Sequence, residues 1–449
     1  MTRYEGGCPI SGSGIAGPEY PGQAPAPPLG PGTRLTLRDL RITAEGDEFL
    51  VGDPVRGEFV AVPAEAISVI SSLRDGNTLR ETAELVLAQT GERIDVADFA
   101  ATLIELGFVA RADGVPVGAG GPDGRGLGDG GRLGAAAARI ARPFYSAPAL
   151  GGYGLLFLGC LVTLTAVPFM RPHVTQMFFL PNPVLSVCLL TAAGMPLAMT
   201  HELAHWLGAR VRGAGARISV SRRYYMMVLQ TDLSALWGLP RRQRFAPLLA
   251  GMAWDTVRLS VLIMLRLAAH AGWWDPGPLG SRLIAAFIVT HILAISWQFF
   301  VFLRTDVYAV LAVGLGCLNL TRISRLAMAR RYRRLTPTER SELGAASHRD
   351  LAAARWYGWI QLAGLALVAY YFVAFFAPLI VSIARWIVTG LGRYPPATFG
   401  FWEVLVSGCV ALVPPATALL TYVRDHRRHA RGSRTSGSVN SGHSGHPLV

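Results

Sequence analysis

The chain has 449 residues, of which 51% are hydrophobic, and its mean hydropathy is +0.36. This is too apolar for an ordinary soluble protein, and the apolar residues form blocks of about 20, the length that spans a bilayer core. The formal net charge is +13, and all the basic residues are arginine because the sequence contains no lysine. Membrane proteins collect arginine in cytoplasmic loops, so this charge does not indicate a nucleic-acid partner.

The sequence before residue 138 divides into three parts. Residues 1–33 are rich in glycine and proline and contain no apolar run, so they are expected to be disordered. Residues 34–112 show the apolar periodicity of a small folded domain. Residues 113–137 form a glycine-rich linker that is expected to be flexible.

Strand and helix signals follow one another within the small domain. Short strands are expected at 35–42, 48–51 and 58–62. Three helices come next. Thr78 with Glu81 predicts a capping box for the second helix, and Asp95 predicts an N-cap for the third. Strands followed by three helices indicate an α+β module that is winged-helix-like.

Residues 138–425 are expected to form an α-helical polytopic membrane domain, with about six transmembrane helices and a short half-helix. The predicted spans lie near 148–170, 183–210, 245–269, 280–303, 353–379 and 400–423. Arginine is concentrated in the segments 210–244, 321–349 and 424–431. The positive-inside rule places these segments, both termini and the small domain in the cytoplasm, at the cell membrane. The basic tail at 426–449 is expected to be disordered.

Residues 201–205 read His-Glu-Leu-Ala-His and lie inside the second predicted span. Residues four apart share one face of a helix, so His201 and His205 can both direct a ring nitrogen at one metal ion. Glu202 lies next to that metal, where it can take a proton from a bound water. Such polar residues are costly inside a membrane without a metal or a polar cavity, which favours a metal site. A water-activating zinc site needs a third protein ligand.

Asp306 is the leading candidate for the third ligand. It lies in an apolar segment, 304–320, that is too short to span a membrane, and a charged side chain there is expensive unless it is paired or bound to metal. Helix rise places it at about the same depth as the two histidines. Asp255 is the main rival, although it can instead pair with Arg258 three residues later. Weaker candidates come from a loop, a span and the tail: Asp232, His291, His426, His429, His443 and His446.

Two stretches resemble the site-2-protease family of intramembrane zinc metalloproteases, in its bacterial peptide zinc metalloprotease branch. They are His201-Glu202-Leu203-Ala204-His205 and Phe302-Leu303-Arg304-Thr305-Asp306-Val307-Tyr308, with Leu315-Gly316 and Asn319-Leu320 downstream. The second is similar to the family's Leu-Asp-Gly segment, from which it departs at Thr305 and Val307. The stretch from Arg241 to Gly251 is similar to the branch's linker into its third core span, with Met252 where proline is common. The resemblance implies that His201, His205 and Asp306 hold Zn²⁺ and that Glu202 is catalytic.

Residues 34–112 are similar to PqqD-like domains, and the segment Gly46-Asp47-Glu48-Phe49-Leu50-Val51 carries this resemblance. Such domains bind the leader of a ribosomally made, modified peptide by adding it as an extra strand at a sheet edge. An exposed edge can capture an extended peptide through main-chain hydrogen bonds. The alternative is a small regulatory or packing domain.

Together these features predict an intramembrane zinc endopeptidase that acts on a peptide or a membrane-associated substrate. The substrate would be a precursor peptide that the N-terminal domain recruits by its leader and presents across the flexible linker. A second hypothesis is a non-proteolytic membrane component that exports or scaffolds such a peptide and keeps the metal for structure. A third keeps the chemistry but changes the substrate to a membrane-bound regulator such as an anti-sigma factor. The expected partners are the substrate and the lipid bilayer, with no nucleic acid.

Overall fold

The computed structural model describes residues 29–45, 48–54, 57–117, 131–223, 226–317, 320–344, 346 and 348–438. Most of the predicted N-terminal tail lies outside the described residues, as do Gly46, Asp47 and Asn319 of the quoted motifs. The described chain is mostly helical and has a small β-sheet region near its N-terminus.

The N-terminal domain contains two small antiparallel sheets. Its strands are β1 Leu35–Leu37, β2 Arg41–Glu45, β3 Glu48–Asp53, β4 Glu58–Val62, β5 Val109–Ala112 and β6 Val115–Pro116. The strand order is β2-β3-β4 in one sheet and β1-β5-β6 in the other. The single strand predicted at 35–42 is therefore two strands, because its first part pairs with β5 and its second part with β3.

Three helices follow β4 in the chain and cover one face of the β2-β3-β4 sheet. They are α1 Ala64–Arg74, α2 Leu79–Thr90 and α3 Val96–Glu105. The predicted capping box is confirmed: Glu81 N donates to Thr78 Oγ1 at 3.2 Å, and Thr78 N donates to Glu81 Oε2 at 2.7 Å. Asp95 caps α3 as predicted, accepting from two backbone N–H groups. These bonds satisfy donors that the first turn of a helix leaves without partners.

Strand β4 is buried on both of its faces. Val60 and Val62 pack into the core that the domain forms with its own helices. Phe59 and Ala61, which alternate with them, belong to a different hydrophobic cluster together with Leu50 of β3. The other members of that cluster come from the distant part of the chain, including Leu233, Leu236, Trp237 and Leu239. We call this second contact the docking interface, because it joins the N-terminal domain to the helical domain.

Among its described residues, the helical domain contains five helices that are long and apolar enough to cross a membrane. They are α5 Ala147–Ala166, α6 Pro183–Val211, α7 Arg241–His270, α8 Gly277–Gln298 and a continuous helix His348–Arg393. The last comprises α12 His348–Tyr371, a π-helical turn and α13 Ala377–Arg393. Large apolar side chains on these helices face outward, such as Leu155 (73% exposed) and Val388 (71% exposed). Outward apolar faces suit contact with lipid.

The remaining helices are shorter or less apolar. They are α4 Gly131–Ala141, α9 Asp306–Leu315, α10 Leu320–Tyr332, α11 Pro337–Gly344 and α14 Phe399–Ser438. The predicted half-helix corresponds to α9, which is bent by 82° from α10. The two helices together would make a sixth span, broken in the middle. The sixth span predicted near 400–423 falls on α14, whose described apolar part, Phe399–Val413, is shorter than a full span.

Three local predictions differ from the structure. Helix α4 begins inside the predicted linker at 113–137, where a run of alanines, the strongest helix formers, follows Gly134. Helix α14 continues through part of the predicted tail to Ser438, since extending a helix costs less than starting one. The basic loop at 210–244 contains a β-hairpin, β7 Arg217–Arg223 with β8 Met226–Asp232. Its signal was the alternation of apolar and polar residues from Ile218 onward.

Helix α14 is attached to the start of α6. The Asn182 side chain caps α6 by accepting from Leu185 N at 3.0 Å. Its amide group donates to Glu403 Oε1 at 3.0 Å and to Ser407 Oγ at 2.9 Å, both on α14. The final helix therefore packs beside α6, the helix that carries the 201–205 motif.

The docking interface predicts that the N-terminal domain stays attached after its covalent linker is cut. We expect a chain cleaved at a site-specific protease sequence placed within 118–130 to elute as one complex. Phe59→Asp should release the N-terminal fragment, because it places a charge where a side chain that is 1% exposed is buried. Leu85→Asp, at an exposed position on α2, is the matched control. Separation of the cleaved wild-type fragments on size exclusion would contradict the docked arrangement.

Candidate metal centre

Both histidines of the 201–205 motif lie on α6, one helical turn apart, and both are buried. Their Nε2 atoms are 3.1 Å from each other. This follows from the spacing of four residues, which places two side chains one above the other on the same helix face. Helix α6 alone therefore supplies two converging nitrogen atoms.

Asp306 reaches the same point from another helix. It is the first residue of α9, and its Oδ2 atom lies 3.1 Å from Nε2 of His201 and 3.1 Å from Nε2 of His205. The backbone turns into α9 at Arg304, whose φ is +56°. Asp306 N donates to Gln298 Oε1 at 3.2 Å, which fixes the start of the helix. The three residues form a buried group that could hold a metal ion.

The donor atoms of this group fit a small divalent cation. Their triangle has sides of 3.1 Å, and two ligands of a tetrahedral zinc ion are separated by about 3.3 Å when each bond is about 2.0–2.1 Å. His205 Nδ1 lies 2.8 Å from the Pro247 carbonyl oxygen, which can only accept, so that nitrogen carries the proton. Nε2 of a neutral His205 then presents a lone pair to the Asp306 carboxylate, an arrangement that a cation between them would stabilise.

Asp255 lies behind His201 and not at the ligand group. Its Oδ2 accepts a hydrogen bond from His201 Nδ1 at 2.8 Å, and its Oδ1 pairs with Arg258. The predicted ion pair with Arg258 is confirmed. Asp255, the rival candidate for the third ligand, contacts the ring nitrogen of His201 that faces away from the group, so the structure does not bring it to the ligand atoms. A carboxylate in this position fixes the tautomer and orientation of a ligating histidine.

Helix α7 closes the site from one side with a residue that has no side chain. A Cβ added at Gly251 would lie against Nε2 of both His201 and His205, closer than real Cβ contacts allow. One turn earlier, Pro247 packs against Gly208 of α6, where a Cβ would be 2.9 Å from its Cα. Glycine at these positions lets α6 and α7 approach closely enough for the histidines to bond to α7.

Glu202 points to the β-hairpin. Its Oε2 accepts from the backbone N–H of Thr231 at 2.7 Å, and its backbone carbonyl accepts from Thr231 Oγ1 at 2.9 Å. Thr231 lies on β8 and is buried. The glutamate is thus held at the boundary between α6 and β8, one residue from the first histidine.

Sequence reasoning missed three residues that shape the site: Pro247, Gly251 and Thr231. The first two lie in the stretch 241–251, which was singled out only for its similarity to a linker. Thr231 carried no signal, because the group that holds the Glu202 carboxylate is its backbone N–H. Every residue has a backbone carbonyl such as that of Pro247, and every residue except proline has an N–H such as that of Thr231, so the sequence pattern does not mark these two groups.

The weaker candidates lie elsewhere or outside the described side chains. Asp232 accepts from Ser234 N at 2.9 Å and so shapes the turn after β8. His291 is buried and its Nδ1 bonds to the Phe287 carbonyl at 2.8 Å, which confirms its prediction as a hydrogen-bonded core histidine. The remaining four are in the tail: His426 and His429, whose side chains are not described, and His443 and His446, which lie outside the described residues.

Comparison with family models, curated proteins and solved structures finds no match to this chain. The site therefore has to be interpreted from its own geometry.

Removing the Asp306 carboxylate should weaken metal binding. Asp306→Asn keeps the shape of the side chain but removes the charge that balances a divalent ion, so we expect affinity for Zn²⁺ to fall at least about tenfold. Metal content of the purified protein, measured by mass spectrometry, checks this. Asp275→Asn, at an exposed position in the same domain, should keep the metal. Equal metal content in both variants would exclude the site.

A methyl group at residue 251 should also empty the site. Gly251→Ala directs its Cβ at both Nε2 atoms and displaces the ligands without changing any ligand residue. Gly194→Ala on α6 is the control, because a Cβ there meets nothing within 4 Å. We expect both variants to elute normally and only Gly251→Ala to lose the metal. Retention of metal by Gly251→Ala would show that the ligand group lies away from α7.

Proposed function

We propose that this protein is a zinc-dependent endopeptidase of the cell membrane that cleaves a peptide or membrane-associated substrate. The observation that carries the proposal is the buried group of His201, His205 and Asp306 among long apolar helices, with Glu202 beside it. Hydrolytic zinc sites have three protein ligands and leave one position open. Two imidazoles and one carboxylate make a donor set of that kind.

The chemistry divides between the metal and the chain. A zinc ion bound there would polarise the scissile carbonyl and lower the pKa of a water toward ~7. Glu202 would take the proton of the attacking water and deliver it to the leaving amine. The Thr231 N–H holds Glu202 Oε2 at 2.7 Å, so we assign the proton transfer to Oε1. Asp255 and the Pro247 carbonyl would keep both imidazoles oriented throughout.

The distribution of charge supports one orientation in the membrane. The N-terminal domain packs against residues 233–239, which follow the arginine-containing hairpin, so these parts lie on the same side of the bilayer. The positive-inside rule places that side in the cytoplasm. If α5 to α8, α12–α13 and α14 each cross once and the bent pair of α9 and α10 does not cross, both termini are cytoplasmic.

We propose that the N-terminal domain presents the substrate as an extended peptide. Strand β4 lies at the edge of its sheet, where a peptide could add through main-chain hydrogen bonds. The same strand contributes Phe59 and Ala61 to the docking interface. A peptide along β4 would therefore be held next to the helical domain. In this arrangement the domain presents its peptide from a fixed position and not from a flexible tether.

The function is tested by the peptides that accumulate when Glu202 cannot accept a proton. Glu202→Gln keeps the hydrogen bond to Thr231 possible but removes the base. Mass spectrometry of native-host cells should show a longer precursor accumulating and its trimmed product lost, with product formation reduced at least about 100-fold. Glu84→Gln, at an exposed position on α2, should leave the peptides unchanged.

Two other results would change the assignment. Identical peptide profiles in wild type and Glu202→Gln, together with loss of the peptide on deletion of the gene, would favour export or scaffolding. Accumulation of an uncleaved membrane regulator would keep the chemistry and replace the peptide substrate.

A further inference from the structure

A buried ion pair crosses the docking interface. Arg244 NH2 lies 2.7 Å from Glu45 Oε2, and the two side chains are 1% and 5% exposed. Glu45 ends strand β2 of the N-terminal domain, whereas Arg244 lies in the first turn of α7. Arg244 also donates to the Leu239 carbonyl at 2.8 Å and lies over the Trp237 ring, 4.9 Å from its centroid. A charge pair with so little access to water is costly to break on one side only.

The first connection from this pair leads to His205. Arg244 precedes Pro247 by three residues on α7, so the two lie about one helical turn apart. The Pro247 carbonyl accepts from His205 Nδ1 at 2.8 Å. A shift of the first turn of α7 therefore moves the group that orients one proposed metal ligand.

A second connection leads to Glu202. A Cβ added at Gly57 would lie 2.8 Å from Ser234 Cβ, so Gly57, the residue before β4, packs directly on the segment after β8. Ser234 donates through its Oγ to Asp232 Oδ1 at 2.6 Å. Thr231 directly precedes Asp232 in the chain, and its N–H holds the Glu202 carboxylate. Close packing transmits such displacements because protein interiors contain little free space.

We propose that docking of the N-terminal domain, through the Glu45–Arg244 pair, holds the metal centre in its binding geometry. Glu45 and Arg244 are positioning residues, since neither touches the ligand group itself. The domain then acts as a structural part of the site as well as a surface for the substrate, and its displacement would weaken metal binding. The inference rests on the metal centre of the proposed function and does not depend on proteolysis.

The test measures docking and metal retention on the same preparations. The full chain, with a cleavage sequence within 118–130, is loaded with Zn²⁺ and cut. Size exclusion gives the fraction of N-terminal fragment that stays bound, and a colorimetric chelator gives the rate of Zn²⁺ release. Glu45→Gln keeps the size of the side chain but removes the negative charge that Glu45 presents to the buried Arg244. We expect fragment release together with Zn²⁺ release that is about 10–100-fold faster, the range for losing support behind metal ligands.

The matched control is Arg242→Ala, which removes a positive charge from the same helical turn at an exposed position. It should leave both measurements unchanged. Thr43→Val is a milder variant, because it removes only the hydrogen bond from Thr43 Oγ1 to the Gly238 carbonyl, which is 3.0 Å long. Thr43→Val should raise fragment release and Zn²⁺ release together, by smaller amounts than Glu45→Gln. It replaces Glu45→Gln in the test if that variant does not fold.

The proposal is overturned if either variant releases the fragment while Zn²⁺ release stays at the wild-type rate. It is equally overturned if Zn²⁺ release rises while the fragment remains bound. Failure of the proposed protease function would leave these results intact, because it is detected separately by the peptides of the Glu202→Gln strain.

Discussion

Two imidazole rings on α6 each bond to α7, and the geometry of the candidate metal centre depends on that pair of bonds. His201 is held by the Asp255 carboxylate and His205 by the Pro247 carbonyl, so each Nε2 is directed at Asp306. The bonds form only because Gly208 and Gly251 let the two helices approach closely. Among apolar helices, polar groups without partners would be expensive, so a fully bonded cluster is the arrangement such a site requires.

Helix α7 has a second role, since it also contacts the N-terminal domain. Both faces of the β2-β3-β4 sheet in that domain are covered. One face packs against the domain's own helices, and the other packs on the segment before α7. An α+β module and an apolar helical domain thus share a hydrophobic cluster and a buried ion pair. The proposed delivery of a peptide along β4 and the proposed support of the metal centre both follow from this contact. In this view, recognition and catalysis are built into one packed unit.

Local signals predicted local structure well. The capping box at Thr78 and Glu81, the N-cap at Asp95 and the short helix at Asp306 each depend on residues close together in sequence, and the structure contains all three. Predictions that depended on distant pairing were less accurate. The strand at 35–42 divides because two different partners pair with its halves, and the alternation from Ile218 onward does not show which segment will pair with it as β8 does. Neither outcome can be derived from a single segment.

The sequence by itself determined the apolar character of the chain and the pair of histidines on one helix face. It also marked Asp306 as a candidate ligand, because a charged side chain in an apolar segment is costly. Periodicity and the cost of burying charge are local properties, so they can be derived from residue order. Only the tertiary structure decided that Asp255 supports His201 from behind, that Gly251 closes the site and that Glu45 reaches Arg244. These contacts join residues far apart in the chain through main-chain atoms and close helix packing, which no local pattern encodes.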